Sequence, residues 1–134
     1  MTAPGGRRGR ILIVEDEAMV AMLAEDLLIE LGFEVLGPVG SLSAALDMVA
    51  RTDPDAALLD VNLRGERVFP VAEALSARGV PFVFASGYAG GELPDAWAGH
   101  ARLSKPYAKS ELARAFAAVG LVPVASTLVP NTAS

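Results

Sequence analysis

The chain has 134 residues, 52% of them hydrophobic, which is enough for one domain with a real core and argues against wholesale disorder. Its net charge of −5 and the lack of a Lys/Arg-rich patch argue against nucleic acid or an anionic membrane as main partner. With no cysteine there is no disulfide framework and no thiolate metal site.

The basic residues Arg7, Arg8 and Arg10 lie in a Gly/Pro-containing N-terminal stretch, read as a tail over residues 1–9. The first apolar run, Ile11-Leu-Ile-Val14, is too short for a signal peptide and leads directly into acidic residues, and no run is long enough to span a bilayer. A cytoplasmic location is expected.

From there short apolar runs alternate with amphipathic stretches, the rhythm of β-α units around a parallel sheet. Ile11–Val14 is apolar throughout, as a strand buried on both faces requires. Ala18–Leu31 is a predicted helix with Met19, Leu23, Leu27 and Leu31 as its inward stripe, closed by Gly32. Phe33–Leu36 is a second strand, which Gly37-Pro38 is expected to break. Ser41 caps a helix to about Ala50, and Asp53-Pro54-Asp55 makes a turn. Ala56–Asp60 is a third strand ending in a carboxylate. Pro70 suits the first turn of a helix running to Arg78, stopped by Gly79.

Phe82–Ala85 is a fourth strand and Ala101–Leu103 a short fifth. Between them, residues 87–99 hold four glycines and a proline, so a short or mobile fourth helix is expected there. Glu111–Val119 is the last helix, with Leu112, Ala115, Phe116 and Val119 inward. The domain is placed at residues 10–120, with a tail over 121–134. Met19, Met22 and Met48 read as core filler, and His100 as a surface loop residue.

Ligands of open parallel sheets bind outside the carboxyl ends of the strands. Strand one ends in Glu15-Asp16, strand three in Asp60, strand four in Ser86, and strand five leads to Lys105-Pro106. Clustered carboxylates repel one another unless a cation joins them, and Mg²⁺ suits such oxygens. A carboxylate so held can attack phosphorus and form an acyl phosphate, with Lys105 and the metal neutralising charge on the transferring oxygens. Glu17 reads as an acid at a helix N-terminus.

At these residues the chain resembles the receiver domains of two-component signalling. The acidic pair Glu15-Asp16, Asp60-Val61-Asn62, Ser86-Gly87 and Lys105-Pro106 fall in that family's order and spacing. The resemblance implies an α/β, doubly wound (βα)5 flavodoxin-like fold with a five-stranded parallel sheet of order 2-1-3-4-5. It also implies that Asp60 is the phosphoacceptor and that Asp16, Asp60 and the Asn62 backbone carbonyl bind Mg²⁺, with Glu15 helping through water. Ser86 is then the switch hydroxyl and Lys105 the phosphate-binding lysine.

The segment Pro81-Phe-Val-Phe-Ala-Ser-Gly-Tyr88 looks like single-domain receivers with a Pro-Phe-x-Phe-Ala-Thr-Gly-Tyr motif, which often work with histidine kinases of the HWE or a related class. Asp60-Val-Asn-Leu-Arg-Gly-Glu66 and Lys105-Pro-Tyr107 look like the same subgroup. Ser86 replaces the motif's Thr, and Arg102 stands where most receivers carry an aromatic switch residue. Asn62 and Tyr88 flank the phosphosite and are expected to tune phosphoryl lifetime.

The resemblance thus implies a stand-alone, non-enzymatic regulator that is phosphorylated by a histidine kinase. It would signal through protein contacts of its fourth helix, fifth strand and fifth helix. Two other readings are a phosphorylation-independent scaffold and an aspartyl-phosphate phosphatase acting on small molecules. Against the phosphatase, Asn62 stands where such enzymes carry a second, acid/base Asp, and the chain has no cap domain.

Overall fold

The computed structural model describes residues 9–87 and 93–121. Five strands, β1 (Arg10–Val14), β2 (Glu34–Val39), β3 (Ala56–Asp60), β4 (Phe82–Ser86) and β5 (Arg102–Ser104), form one parallel sheet in the order β2-β1-β3-β4-β5. Four α-helices are described: α1 (Ala18–Glu30), α2 (Leu42–Arg51), α3 (Phe69–Ala77) and α4 (Lys109–Ala118). Between β4 and β5, where a fourth helix of the alternation is expected, the described residues form a single 3-10 turn, Asp95–Trp97.

Strand alternation divides the core in two, because successive side chains point to opposite faces. Ile11, Ile13, Ala56, Leu58, Val83 and Ala85 pack with α1 and α4. Leu12, Val14, Ala57, Leu59, Phe82 and Phe84 pack with α2 and α3. The sheet is therefore covered on both sides, and its carboxyl edge is left open for a site.

Three expectations are corrected. The inward face of α1 is not the Met19–Leu23–Leu27–Leu31 stripe: Ala21, Ala24 and Leu28 are buried, while Met19 is 82% and Met22 60% exposed. The helix is apolar almost all round, so periodicity could not choose a face, and small alanines allow the closest approach to β1. Leu27 and Leu31 are partly buried against the core, and of the methionines expected inside, Met48 alone packs there.

β2 is not broken at Gly37-Pro38 but continues to Val39. The register passes from Leu12↔Leu36 to Val14↔Val39, so one extra residue is absorbed as a bulge. β2 is an edge strand, where proline is tolerated. Gly37 has φ +87°, and a Cβ there would lie 3.0 Å from the Val39 nitrogen and 3.1 Å from the Ile13 carbonyl oxygen.

His100 is not a plain surface residue. Its ring stacks on Phe82 with centroids 4.3 Å apart, and its Nε2 lies 3.0 Å from the Phe82 carbonyl oxygen. Trp97 packs edge-on against Phe82 and Phe84. These contacts fasten the 3-10 turn to β4.

Local chemistry sets the helix ends. Ser41 Oγ accepts the Ala44 N–H at 3.1 Å, the N-cap expected for α2. Glu111 accepts the Ala108 N–H at 2.7 Å, the half of a capping box that its carboxylate supplies. That contact starts α4 at Lys109, two residues before Glu111. Leu121 is buried and donates its N–H to the Phe116 carbonyl.

Candidate functional site

β1 and β3 are neighbours at the point where the strand order reverses, so their ends place Glu15, Asp16 and Asp60 side by side. One carboxylate oxygen from each lies within 4.8 Å of the others. Glu15 and Asp60 are buried, and Asp16 is partly open. Gly40, just after β2, closes against this corner: a Cβ there would sit 3.3 Å from the Asp16 Cα.

Lys105 follows β5 and reaches the same corner. Its Nζ lies 3.0 Å from Glu15 Oε1, 3.4 Å from Asp60 Oδ1 and 4.0 Å from Glu17 Oε1. Its backbone N–H donates to the Ser86 carbonyl at 2.8 Å, tying the lysine loop to the end of β4. Ser86 itself is buried, and its Oγ has no hydrogen-bond partner among the described residues.

Charge is unbalanced here. Burial first, and then the neighbouring Glu15 charge, push the Asp60 carboxyl from 3.8 up to about 7, against the opposing pull of Lys105. Burial lowers the Lys105 ammonium, but the Glu15 hydrogen bond and the Asp60 charge outweigh it, and the group stays raised. The Tyr107 phenol, also buried, is pushed above its usual range by desolvation and by the Glu15 and Asp60 charges. Fewer cations than carboxylates meet at this corner, as a site for an added cation requires.

Both Glu15 oxygens are already engaged, Oε1 by Lys105 and Oε2 by the Glu17 N–H at 3.1 Å. Asp16 and Asp60 are less committed. The Asn62 N–H reaches Asp60 Oδ1 at 3.5 Å, and the Arg64 N–H donates to Asp16 Oδ2 at 3.0 Å.

The structure therefore brings together Glu15, Asp16, Asp60, Ser86 and Lys105, with the Asn62 backbone beside them. Tyr88, expected to flank the site, lies outside the described residues. Sequence reasoning missed the hairpin Asn62–Leu63/Glu66–Arg67 and its contact with Asp16. The Arg64-Gly65 pair that follows Leu63 is its only local signal. The burial of Tyr107 was also missed. An apolar groove of about 240 Å³ opens beside Lys105, walled by Val20, Leu23, Pro106 and Tyr107.

Fold and site together define a doubly wound α/β protein with an acidic, lysine-braced pocket at its strand ends. Residues 11–117 match the response regulator receiver domain family, and the chain belongs to it. The solution structure of SdrG from Sphingomonas melonis Fr1 is 42% identical, with a TM-score of 0.77, over 87% of this chain and 98% of that one. A BeF3-activated conformation of SdrG is 43% identical with a TM-score of 0.74, over 84% of this chain and 97% of that one. The transcriptional regulatory protein PdtaR of Mycobacterium tuberculosis is 32% identical over 108 residues, 77% of this chain and 52% of PdtaR. The chain thus spans about half the length of that curated relative. Among the described residues no helix is long and apolar enough to cross a membrane.

Proposed function

We propose that this receiver domain takes a phosphoryl group onto Asp60 from a histidine kinase, of the HWE or a related class, and signals by phosphorylation-dependent protein contacts. The observation that carries the reading is the buried Asp60 at a strand end, 3.4 Å from Lys105 and beside two further carboxylates. SdrG, whose activated conformation carries BeF3, lends support by similarity.

The donor set is all oxygen and net acidic, which fits Mg²⁺ better than a softer metal. Asp16 and Asp60 would hold the ion with the Asn62 carbonyl, while Glu15, both of its oxygens engaged, would act through water. When bound, the ion would neutralise charge on the carboxylates and on the phosphoryl oxygens.

Asp60 supplies the attacking oxygen. Its O–P bond forms as the donor's P–N bond breaks, and the electron pair leaves with the donor imidazole. Lys105 loses its Asp60 partner in that step and turns to a phosphoryl oxygen. The Ser86 hydroxyl, buried without a hydrogen-bond partner among the described residues, would donate to another. Ser86, Phe84 and Phe82 share one face of β4, and Phe84 and Phe82 carry Trp97 and His100. Movement of Ser86 therefore has a packed route into the link before β5. The proposed signalling face is this link with exposed Arg102 of β5 and the last helix, α4.

Intact-mass measurement after incubation with Mg²⁺ and acetyl phosphate tests the proposal, with Asp60→Asn alongside. A gain of one phosphoryl mass in the parent alone is expected. No gain in the parent, with a cognate kinase also failing, would leave a phosphate-independent scaffold as the better reading.

A further inference from the structure

The hairpin that follows Asp60 ends in a two-residue turn, with Asn62 paired to Arg67 and Leu63 to Glu66. Arg64 has φ +52° and Gly65 φ +88°, two consecutive left-handed residues, as the tight hairpin turn that matches strand twist requires. Among the described residues Arg64 is the sole non-glycine with positive φ, a conformation that L side chains disfavour. The strain serves a contact: it points the Arg64 N–H at Asp16 Oδ2, 3.0 Å away and 48 residues earlier in the chain.

The hairpin is firmly rooted. Leu63 is 1% and Val68 0% exposed, and the Val68 N–H donates to the Val61 carbonyl at 3.0 Å, closing its base directly after Asp60. The hairpin thus joins the end of β3 to the carboxylate at the end of β1. Asp16 is the least buried acid of the cluster, and without this bond its side chain would be free to turn to solvent.

We infer that the Arg64–Gly65 turn is a positioning element for cation binding: its backbone N–H holds one oxygen of Asp16 and would leave the other free for the ion. The inference rests on the proposed Mg²⁺ site. It assigns the role to the Arg64 amide and the turn conformation, not to the Arg64 guanidinium. Losing such an outer contact to a metal ligand commonly weakens the metal by ~10-fold or more.

Calorimetric Mg²⁺ titration of the full chain tests this, with melting points recorded for every variant. Gly65→Val, whose Cβ would meet nothing within 4 Å but which disfavours positive φ, is expected to weaken Mg²⁺ by about tenfold. Gly65→Asn, which tolerates the left-handed region, and Arg64→Gly, which keeps the amide and discards the charge, are expected to bind like the parent. Undiminished affinity in Gly65→Val, or a tenfold loss in Arg64→Gly, would overturn the inference.

A second arm needs no metal. The Arg64 amide proton resonance should move upfield in Asp16→Ala, and an unmoved resonance would overturn the contact even if Gly65→Val fails to fold. Failure of the parent to bind Mg²⁺ would instead refute the proposed function, and the amide arm would still decide the contact.

Discussion

Without a divalent cation, ionised Asp60 burdens the fold at neutral pH, and Asp60→Asn is expected to relieve it. The carboxyl moves from 3.8 to about 7, chiefly through burial and then through Glu15. Between those values the folded chain keeps a proton that the unfolded chain has released. Stability therefore falls as pH rises through this window and stays low above it. At full effect a shift of that size corresponds to ~4 kcal/mol. Entry of water at this partly open corner reduces it, leaving roughly 1–2 kcal/mol, or about 4–8 °C in melting temperature for a domain this size.

Thermal unfolding in chelator at pH 7.5 and pH 4.5 measures the difference between Asp60→Asn and the parent. Lys105 and Tyr107, which the Asp60 charge also raises, titrate above this pH range, and Lys105 still has Glu15 3.0 Å away as a partner, so the difference between the two pH values reports chiefly on Asp60. The variant should melt higher at pH 7.5 and close to the parent at pH 4.5. Added Mg²⁺ should raise the parent and leave the variant little changed. A variant less stable than the parent at pH 7.5, or equally advantaged at both pH values, would refute the reasoning.

Lys105→Met strands the Glu15 and Asp60 carboxylates without their buried cation. Metal-free stability at pH 7.5 is expected to fall by about 2–4 kcal/mol in urea titrations, and acetyl phosphate should no longer label the protein. Met19→Lys and Met22→Lys, on the exposed face of α1, should each change stability by less than ~0.5 kcal/mol, whereas Leu28→Ala should cost about 2–5 kcal/mol. Equal losses at Met19 and Leu28 would reverse the face assignment. Gly37→Ala should destabilise by more than about 1 kcal/mol in the same assay, because its φ of +87° strains an L side chain and a methyl 3.0 Å from the Val39 nitrogen would force the backbone to shift.

Much of this protein is legible in one dimension because its strands are short, apolar and bounded by carboxylates or turn residues. Ile11–Val14, Ala56–Asp60 and Phe82–Ala85 announce a parallel sheet by lacking alternation. Once they are strands, the residues that end them must share one edge. Glu15, Asp16, Asp60, Ser86 and Lys105 could be gathered into one site on that logic alone.

What the tertiary structure decided lies where local pattern is degenerate or the partner is distant. α1 is apolar nearly all round, so only contact with β1 selects Ala21, Ala24 and Leu28 as its inner face. Gly37-Pro38 reads as a stop, yet an edge position and a bulge let β2 pass through it. His100 looks like a loop residue until its ring stacks on Phe82. The bond from Arg64 to Asp16 spans 48 residues and depends on a left-handed turn. Neither the distance nor the backbone angle is written in residue types, because both arise only when the ends of β1 and β3 meet.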